Sequence, residues 1–138
     1  MKIYFAGSVR GGRDDQKFYA EVIKILKNHG EVLTEHLGDP ELTQMGTIGL
    51  SDEQIYDRMM NWIKESDVIV AEVSSPSTGV GYEIALSESM NKKIICLYRE
   101  GSSKRISAMV GGNKGLIVKN YKTIEELSLI LDNFFNLV

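Results

Sequence analysis

The sequence predicts an α/β protein in which five parallel strands form one sheet with helices on both faces, a three-layer sandwich. Three observations predict it. Strand-like and helix-like segments alternate along all 138 residues, the order expected of a parallel sheet. Asp67-Val68-Ile69-Val70-Ala71-Glu72-Val73 is nearly continuous in apolar character, as a strand covered on both faces should be. Ser51 with Gln54 and Thr123 with Glu126 have the spacing of capping boxes, which marks two helix starts.

The first strand is the β-rich run Ile3-Tyr4-Phe5-Ala6, ended by Gly7-Ser8-Val9-Arg10-Gly11-Gly12-Arg13. Asp14 or Asp15 then caps a helix whose Phe18, Val22, Ile25 and Leu26 fall at helical spacing, with Gly30 as its C′ residue. Residues 31–35 form the second strand, and His36 closes it. Residues 37–50 carry Pro40 and three glycines without a clear period. They read as a long loop or short helical turn, the kind of segment that often serves as a lid or binding loop. Ser51 opens the second helix, with Ile55, Met59, Trp62 and Ile63 on its apolar face. After the third strand, residues 67–73, a helix spans about 79–91 and a fourth strand 93–98. Residues 99–105 form a polar linker, and 106–110 a short helical turn ending at Gly111-Gly112. Leu116-Ile117-Val118 is the fifth strand. The last helix places Leu127, Ile130, Leu131 and Phe134 inward.

Composition bounds the function. A chain of this length forms one domain, residues 1–138, with a sizeable core. A hydrophobic content of 43% and a charged content of 25% are ordinary for a soluble protein. A net charge of -3 and a pI near 5.4 argue against a nucleic-acid-binding surface. The one cysteine, Cys96, lies in the apolar run Ile94-Ile95-Cys96-Leu97 and reads as a buried strand residue rather than a nucleophile. It has no partner for an internal disulfide and no Cys/His cluster around it, so a reducing compartment and no metal are expected. No run approaches the roughly 20 apolar residues that span a bilayer, and the N-terminus looks like a strand rather than a signal peptide. A cytoplasmic, soluble protein without membrane attachment is the expectation.

In a sheet of this kind ligands bind at the carboxyl ends of the strands, near the topological switch point. Two Gly-rich turns, residues 7–13 and 74–81, both follow strands and are expected at that edge, where they can form one pocket. The second, Ser74-Ser75-Pro76-Ser77-Thr78-Gly79-Val80-Gly81, leads into a helix. Unpaired N–H groups at a helix start favour anions, Ser77 and Thr78 add hydroxyl donors, and Glu83 follows a turn or less inside the helix. An anion cradle beside a carboxylate suggests chemistry on a phosphorylated small molecule. A capped helix with an ordinary first-turn acid is the alternative. The first turn holds three glycines, one serine and two arginines, suited to close backbone approach and to phosphate oxygens. It is neither a dinucleotide fingerprint nor a P-loop, and a flexible turn with exposed arginines is its alternative. Tyr4, Met59 and Trp62 read most simply as core residues, His36 as a polar strand end, and Asp67 as a structural cap. Glu72 fits either a structural or a functional role.

Taken together, the blocks Ile3–Arg13, Val32-Leu33-Thr34-Glu35-His36, Asp67–Val73, Pro76-Ser77-Thr78-Gly79-Val80-Gly81-Tyr82-Glu83 and Ser107-Ala108-Met109 resemble the 2′-deoxynucleoside 5′-phosphate N-hydrolases. These are relatives of the nucleoside 2-deoxyribosyltransferases, with a flavodoxin-like or Rossmann-like sandwich. The resemblance covers nearly the whole chain. It implies cleavage of the N-glycosidic bond of a deoxynucleoside monophosphate to free base and 2-deoxyribose 5-phosphate, without metal or organic cofactor. By resemblance Glu83 is a nucleophile that forms a covalent sugar intermediate, the logic of a retaining glycosidase. Tyr4 matches the tyrosine that contacts this carboxylate and the sugar near its 2′ position. Ser8, Arg10, Ser77 and Ser107 match the groups that hold the 5′-phosphate, Ser107 coming from the partner subunit of a homodimer with shared active sites. Gly7, Val9, Gly11, Gly12 and Arg13 would line the same site, as would Gly79, Ala108 and Met109, while His36 borders the base pocket.

The resemblance also marks a departure. It expects an aspartate near the leaving base, three residues before Trp62, where this chain has Met59. Asp57 is no substitute, because two helical residues turn about 200°. A positioned general acid typically contributes about 10²–10⁴-fold. Two further readings therefore stand beside the hydrolase: a deoxyribosyltransferase, and a catalytically weak nucleotide-binding module. The phosphate-holding serines and Arg10 count against the transferase, since the resemblance places an acid at the position of Ser77 in transferases of free nucleosides.

Overall fold

The computed structural model describes residues 1–8, 15–39 and 49–138. The strands are β1 (Lys2–Ala6), β2 (Glu31–Val32), β3 (Val68–Glu72), β4 (Lys93–Arg99) and β5 (Ile117–Tyr121). The helices are α1 (Gln16–Leu26), α2 (Asp52–Glu65), α3 (Thr78–Ser89), α4 (Ala108–Gly111) and α5 (Ile124–Phe135), with a 3₁₀ turn at Glu35–Gly38. All strand pairs are parallel, in the order β2-β1-β3-β4-β5. The predicted α/β class and parallel sheet are thus observed.

Alternation along the central strands creates the two faces. Ile3 and Phe5 of β1 and Val68 and Val70 of β3 pack with Val22, Leu26, Leu127 and Leu131, so α1 and α5 cover one face. Tyr4, Ala6, Ile69 and Ala71 point the other way and pack with Ile63, Val80, Ile84 and Val110 of α2, α3 and α4. Every residue of β3 is buried, which accounts for its continuous apolar character. The chain leaves β1 for β2 on one side and returns to β3 on the other. The switch point therefore lies at the adjacent carboxyl ends of β1 and β3, which pair through Ala6 and Ala71.

Several predicted boundaries shift. The second strand stops at Val32 instead of residue 35. Thr34 takes over the ladder with its side chain: the Phe5 N–H donates to Thr34 Oγ1 at 2.9 Å, and that hydroxyl donates to the Phe5 carbonyl at 2.7 Å. His36 accordingly sits in the 3₁₀ turn, not at a strand end. Gly30 does not cap α1, whose last residue is Leu26 and whose C-cap is Lys27. It is glycine because a Cβ there would collide with the Met1 carbonyl oxygen, the acceptor of the Glu31 N–H at 2.9 Å. Ser51 and Gln54 do form the reciprocal capping box. The second pattern is half-formed: Thr123 Oγ1 accepts from the Glu126 N–H, but the Glu126 carboxylate turns to the Lys122 N–H at 2.7 Å. Asn91, at φ 56°, ends the turn after α3 in the left-handed region. The fifth strand runs on to Tyr121.

Candidate active site

Tyr4 is a β1 residue on the α2/α3 face and is 1% exposed. Its hydroxyl donates to Met59 Sδ of α2 at 3.3 Å and lies close enough to the Glu83 carboxyl group of α3 for each to shift the other's titration. One phenolic proton cannot serve both acceptors. The carboxylate is the stronger acceptor, so the proton points to Glu83 when that group is ionised and is free for the sulfur when it is not. Burial pushes the Glu83 carboxyl up to about 7, against the opposing effect of the Tyr4 hydrogen bond. Burial and the adjacent Glu83 charge raise the Tyr4 phenol, which stays protonated. The arrangement is a half-buried carboxyl group that is partly ionised near neutrality and, among the described residues, acted on by one donor. That is the condition of a carboxylate poised for chemistry rather than one saturated with hydrogen bonds.

Glu83 lies deeper than the sequence suggests. Ser77 is the N-cap of α3, and its hydroxyl accepts from the Val80 N–H at 3.3 Å. Glu83 is the sixth residue of the helix, about a turn and a half in. Its carbonyl accepts from the Ser87 hydroxyl at 2.7 Å. A Cβ on Gly81 would meet open space, and one on Gly79 would touch the Ser77 hydroxyl at 3.9 Å. Ser77 and Gly81 line a cavity of about 300 Å³ together with Arg105, Ser107 and Met109. Ser107 caps α4 by accepting from the Met109 N–H at 3.2 Å. Ser77 and Ser107 therefore share one cavity within a single chain. Met109 is 84% exposed at its rim, and Ala108 is exposed beside it.

On the other flank of Met59, the His36 ring meets Trp62 at 5.5 Å between centroids, and the Arg58 guanidinium lies 5.5 Å from the same Trp62 ring. Burial, and then the Arg58 charge, lower the His36 imidazole, so it is neutral at pH 7. Gly7 and Ser8 are buried where β1 ends. A Cβ on Gly7 would lie 3.0 Å from the Tyr19 ring. Val9, Arg10, Gly11, Gly12 and Arg13, expected at the same edge, lie outside the described residues, as does Asp14. So does most of the 37–50 loop, Pro40 included. The structure thus joins Tyr4, Met59 and Glu83 directly, groups Ser77, Gly81, Ser107 and Met109 around a cavity, and sets His36 beside Trp62.

Cys96 is buried in β4, and burial raises its thiol to about 12, which excludes it as a nucleophile. Asp67 accepts from the Lys2 N–H at 2.7 Å, as befits a cap. Among the described residues no group of three or more His, Cys, Asp or Glu is placed to hold a metal ion. Among them, too, no helix is long and apolar enough to cross a membrane.

Sequence reasoning missed a polar network on the opposite face. Glu72, 2% exposed, accepts from the Ser74 N–H at 2.7 Å and from the Tyr121 hydroxyl. Asp15 binds Arg99 and Ser75. The one sequence signal was an acid inside the apolar strand run. Nothing local pairs Asp15 with a residue 84 positions away.

A family model described as nucleoside 2-deoxyribosyltransferase matches residues 3–127. The chain belongs to the nucleoside 2-deoxyribosyltransferase family. Within it, the chain is 43% identical over 140 residues to a Tetraodon nigroviridis protein named 5-hydroxymethyl-dUMP N-hydrolase, with 99% of this chain and 98% of that one covered. An Esox lucius protein of the same name is 46% identical over 140 residues, at 98% and 96% coverage. Among solved structures, a Clostridium botulinum CMP N-glycosidase matches with a TM-score of 0.67 over 97% of this chain and 99% of that one. At 22% identity that match shows a common fold. The family resemblance visible in the sequence is therefore borne out.

Proposed function

We propose that the protein hydrolyses the N-glycosidic bond of 2′-deoxynucleoside 5′-monophosphates, releasing the base and 2-deoxyribose 5-phosphate. The observation that carries this reading is the Glu83 carboxyl group, half-buried beside Tyr4 in a helix whose N-cap, Ser77, lines an open cavity. Full-length similarity to two proteins named 5-hydroxymethyl-dUMP N-hydrolase supports the substrate class and makes that nucleotide the first to test.

In this mechanism the ionised Glu83 attacks the anomeric carbon as the base leaves, giving a glycosyl ester that water then opens. Tyr4 steadies the carboxylate and crowds the 2′ side of the sugar. Ser77 and the amide groups at the start of α3 receive the phosphate, with Ser8 from the β1 turn and Ser107 completing the grip. A homodimer that shares its active sites, with Ser107 given by the partner, belongs to the same proposal, although within one chain Ser107 already lines the cavity with Ser77. Met59 can neither donate a proton nor accept a strong hydrogen bond, so leaving-group activation is weak at this position. No metal or organic cofactor has a part in the scheme.

The test is base release from 5-hydroxymethyl-dUMP and deoxyguanosine monophosphate, with the corresponding deoxynucleosides as controls. Release from the monophosphates is expected, and release no greater than that of a Glu83→Ala control that still binds nucleotide is fatal to the reading. Equal release from the nucleosides removes the phosphate assignment. Transfer of the sugar to an added acceptor base would identify a transferase instead. Met59→Asp should raise the rate toward the 10²-fold range of a general acid, and an unchanged rate refutes the account of this position.

A further inference from the structure

The strongest polar cluster outside the Tyr4–Glu83 pair lies under the same strand ends, on the α1/α5 face. Asp15 precedes α1 but does not cap it. Its Oδ2 accepts from the Ser75 hydroxyl at 2.9 Å, and its Oδ1 accepts from Arg99 Nη2 at 3.0 Å. The Arg99 guanidinium lies 5.1 Å from the Phe18 ring centroid, and Phe18 stacks on Tyr121 at 5.8 Å. The Arg99 N–H donates to Ser74 Oγ at 2.7 Å. Four residues along α1, the Tyr19 hydroxyl accepts from the Ser8 N–H at 3.0 Å. The start of one helix therefore holds a residue just past each of the two strands of the switch point. Tyr19 holds Ser8, just past β1, and Asp15 holds Ser75, just past β3.

We propose that Asp15 and Tyr19 are positioning residues that set the spacing between the Ser8 turn and the Ser75–Ser77 turn, so that both grip one phosphate group. The proposal rests on the phosphate-ester reading above. Donors from two separate turns must converge within about 3 Å of the same oxygens, and misplacement by about 1 Å can cost on the order of 10²-fold. Ser8 and residues 74–77 lie outside the strands and helices, so their positions must be fixed from outside. Asp15 is well placed for that because both of its oxygens are engaged, one by each of two elements. Its negative charge would repel a bound phosphate. Arg99 neutralises it, so the clamp holds without an electrostatic penalty.

The test measures affinity for inorganic phosphate and 2-deoxyribose 5-phosphate by titration, alongside KM and kcat for base release. Asp15→Asn and Tyr19→Phe should each weaken phosphate binding about tenfold, raise KM for the deoxynucleotide in parallel, and change kcat by less than about threefold. Reaction of the deoxynucleoside, which lacks the phosphate, should be unaffected. Arg99→Met alone leaves Asp15 unneutralised and should weaken phosphate binding more than the Asp15→Asn/Arg99→Met double variant does. Unchanged phosphate affinity in the folded variants overturns the proposal, as does equal loss on nucleotide and nucleoside. A parent chain that binds neither phosphate compound overturns it too. The titrations need no turnover, so a parent chain that binds phosphate but releases no base would sink the hydrolase reading and leave the positioning result to be decided by the variants.

Discussion

Glu72 and Glu83 lie eleven residues apart, and burial pushes the carboxyl group of each above its ordinary range. They differ in what surrounds them. Glu72 ends β3 on the α1/α5 side and is tied by the Ser74 N–H and the Tyr121 hydroxyl. Glu83 lies on the other side of the sheet, where among the described residues Tyr4 is the one donor that acts on it, and Tyr4 itself lies against the Met59 thioether. A buried carboxylate whose oxygens are occupied holds elements together and is unavailable to a ligand. One that is left with a single weakly competing neighbour keeps its lone pairs for a substrate. Burial alone therefore does not distinguish the structural acid from the proposed reactive one; the donors that the described residues supply do.

The sharpest way to break this comparison is to remove each carboxylate. Glu83→Gln should abolish base release by at least about 10³-fold and leave the fold intact, as read by product chromatography and circular dichroism. Substantial residual activity would mean that Glu83 is not the reactive group. Glu72→Leu should do the reverse. It strands the Ser74 N–H and the Tyr121 hydroxyl and should destabilise the fold by about 3 kcal/mol in denaturant titration. A stability loss within error would make Glu72 dispensable and the contrast unsound.

The pH dependence sharpens the contrast further. The folded Glu83 titrates near 7, above its ordinary value of 4.5. Between those pH values the folded chain retains a proton that the unfolded chain has released. Its contribution to stability is therefore lost as pH rises through this window. Glu83→Gln should match the parent below about pH 4.5 and gain on it up to a plateau above pH 7, by up to about 3 kcal/mol. Base release by the parent should rise with pH through about 7, because attack needs the ionised form. A flat stability difference across the window would refute the raised value.

The smallest effects come from removing one donor from each acid. Tyr4→Phe should slow base release about tenfold and move the pH midpoint upward, since the Tyr4 hydrogen bond holds the Glu83 carboxyl down. Tyr121→Phe should cost about 1 kcal/mol of stability and leave the rate unchanged. If Tyr121→Phe slowed the reaction as much as Tyr4→Phe, the two acids would not be functionally separate.

The sequence by itself determined the α/β class, the parallel sheet and the placement of most helices. Those follow from periodicity and local capping, as with Ser51–Gln54 and the fully buried β3. It also marked Glu83, Ser77 and Tyr4, through a Gly-rich strand–turn–helix pattern and family resemblance. Only the tertiary structure decided that Thr34 would cut β2 short with its side chain, that Glu83 would sit a turn and a half into α3, and that Met59 would lie against Tyr4. It alone joined Asp15 to Arg99 and Glu72 to Tyr121. The physical reason is range. Periodicity and caps are set by neighbours a few residues away, whereas the number of donors around a buried carboxylate depends on side chains from strands far apart in sequence that only the packed sheet brings together.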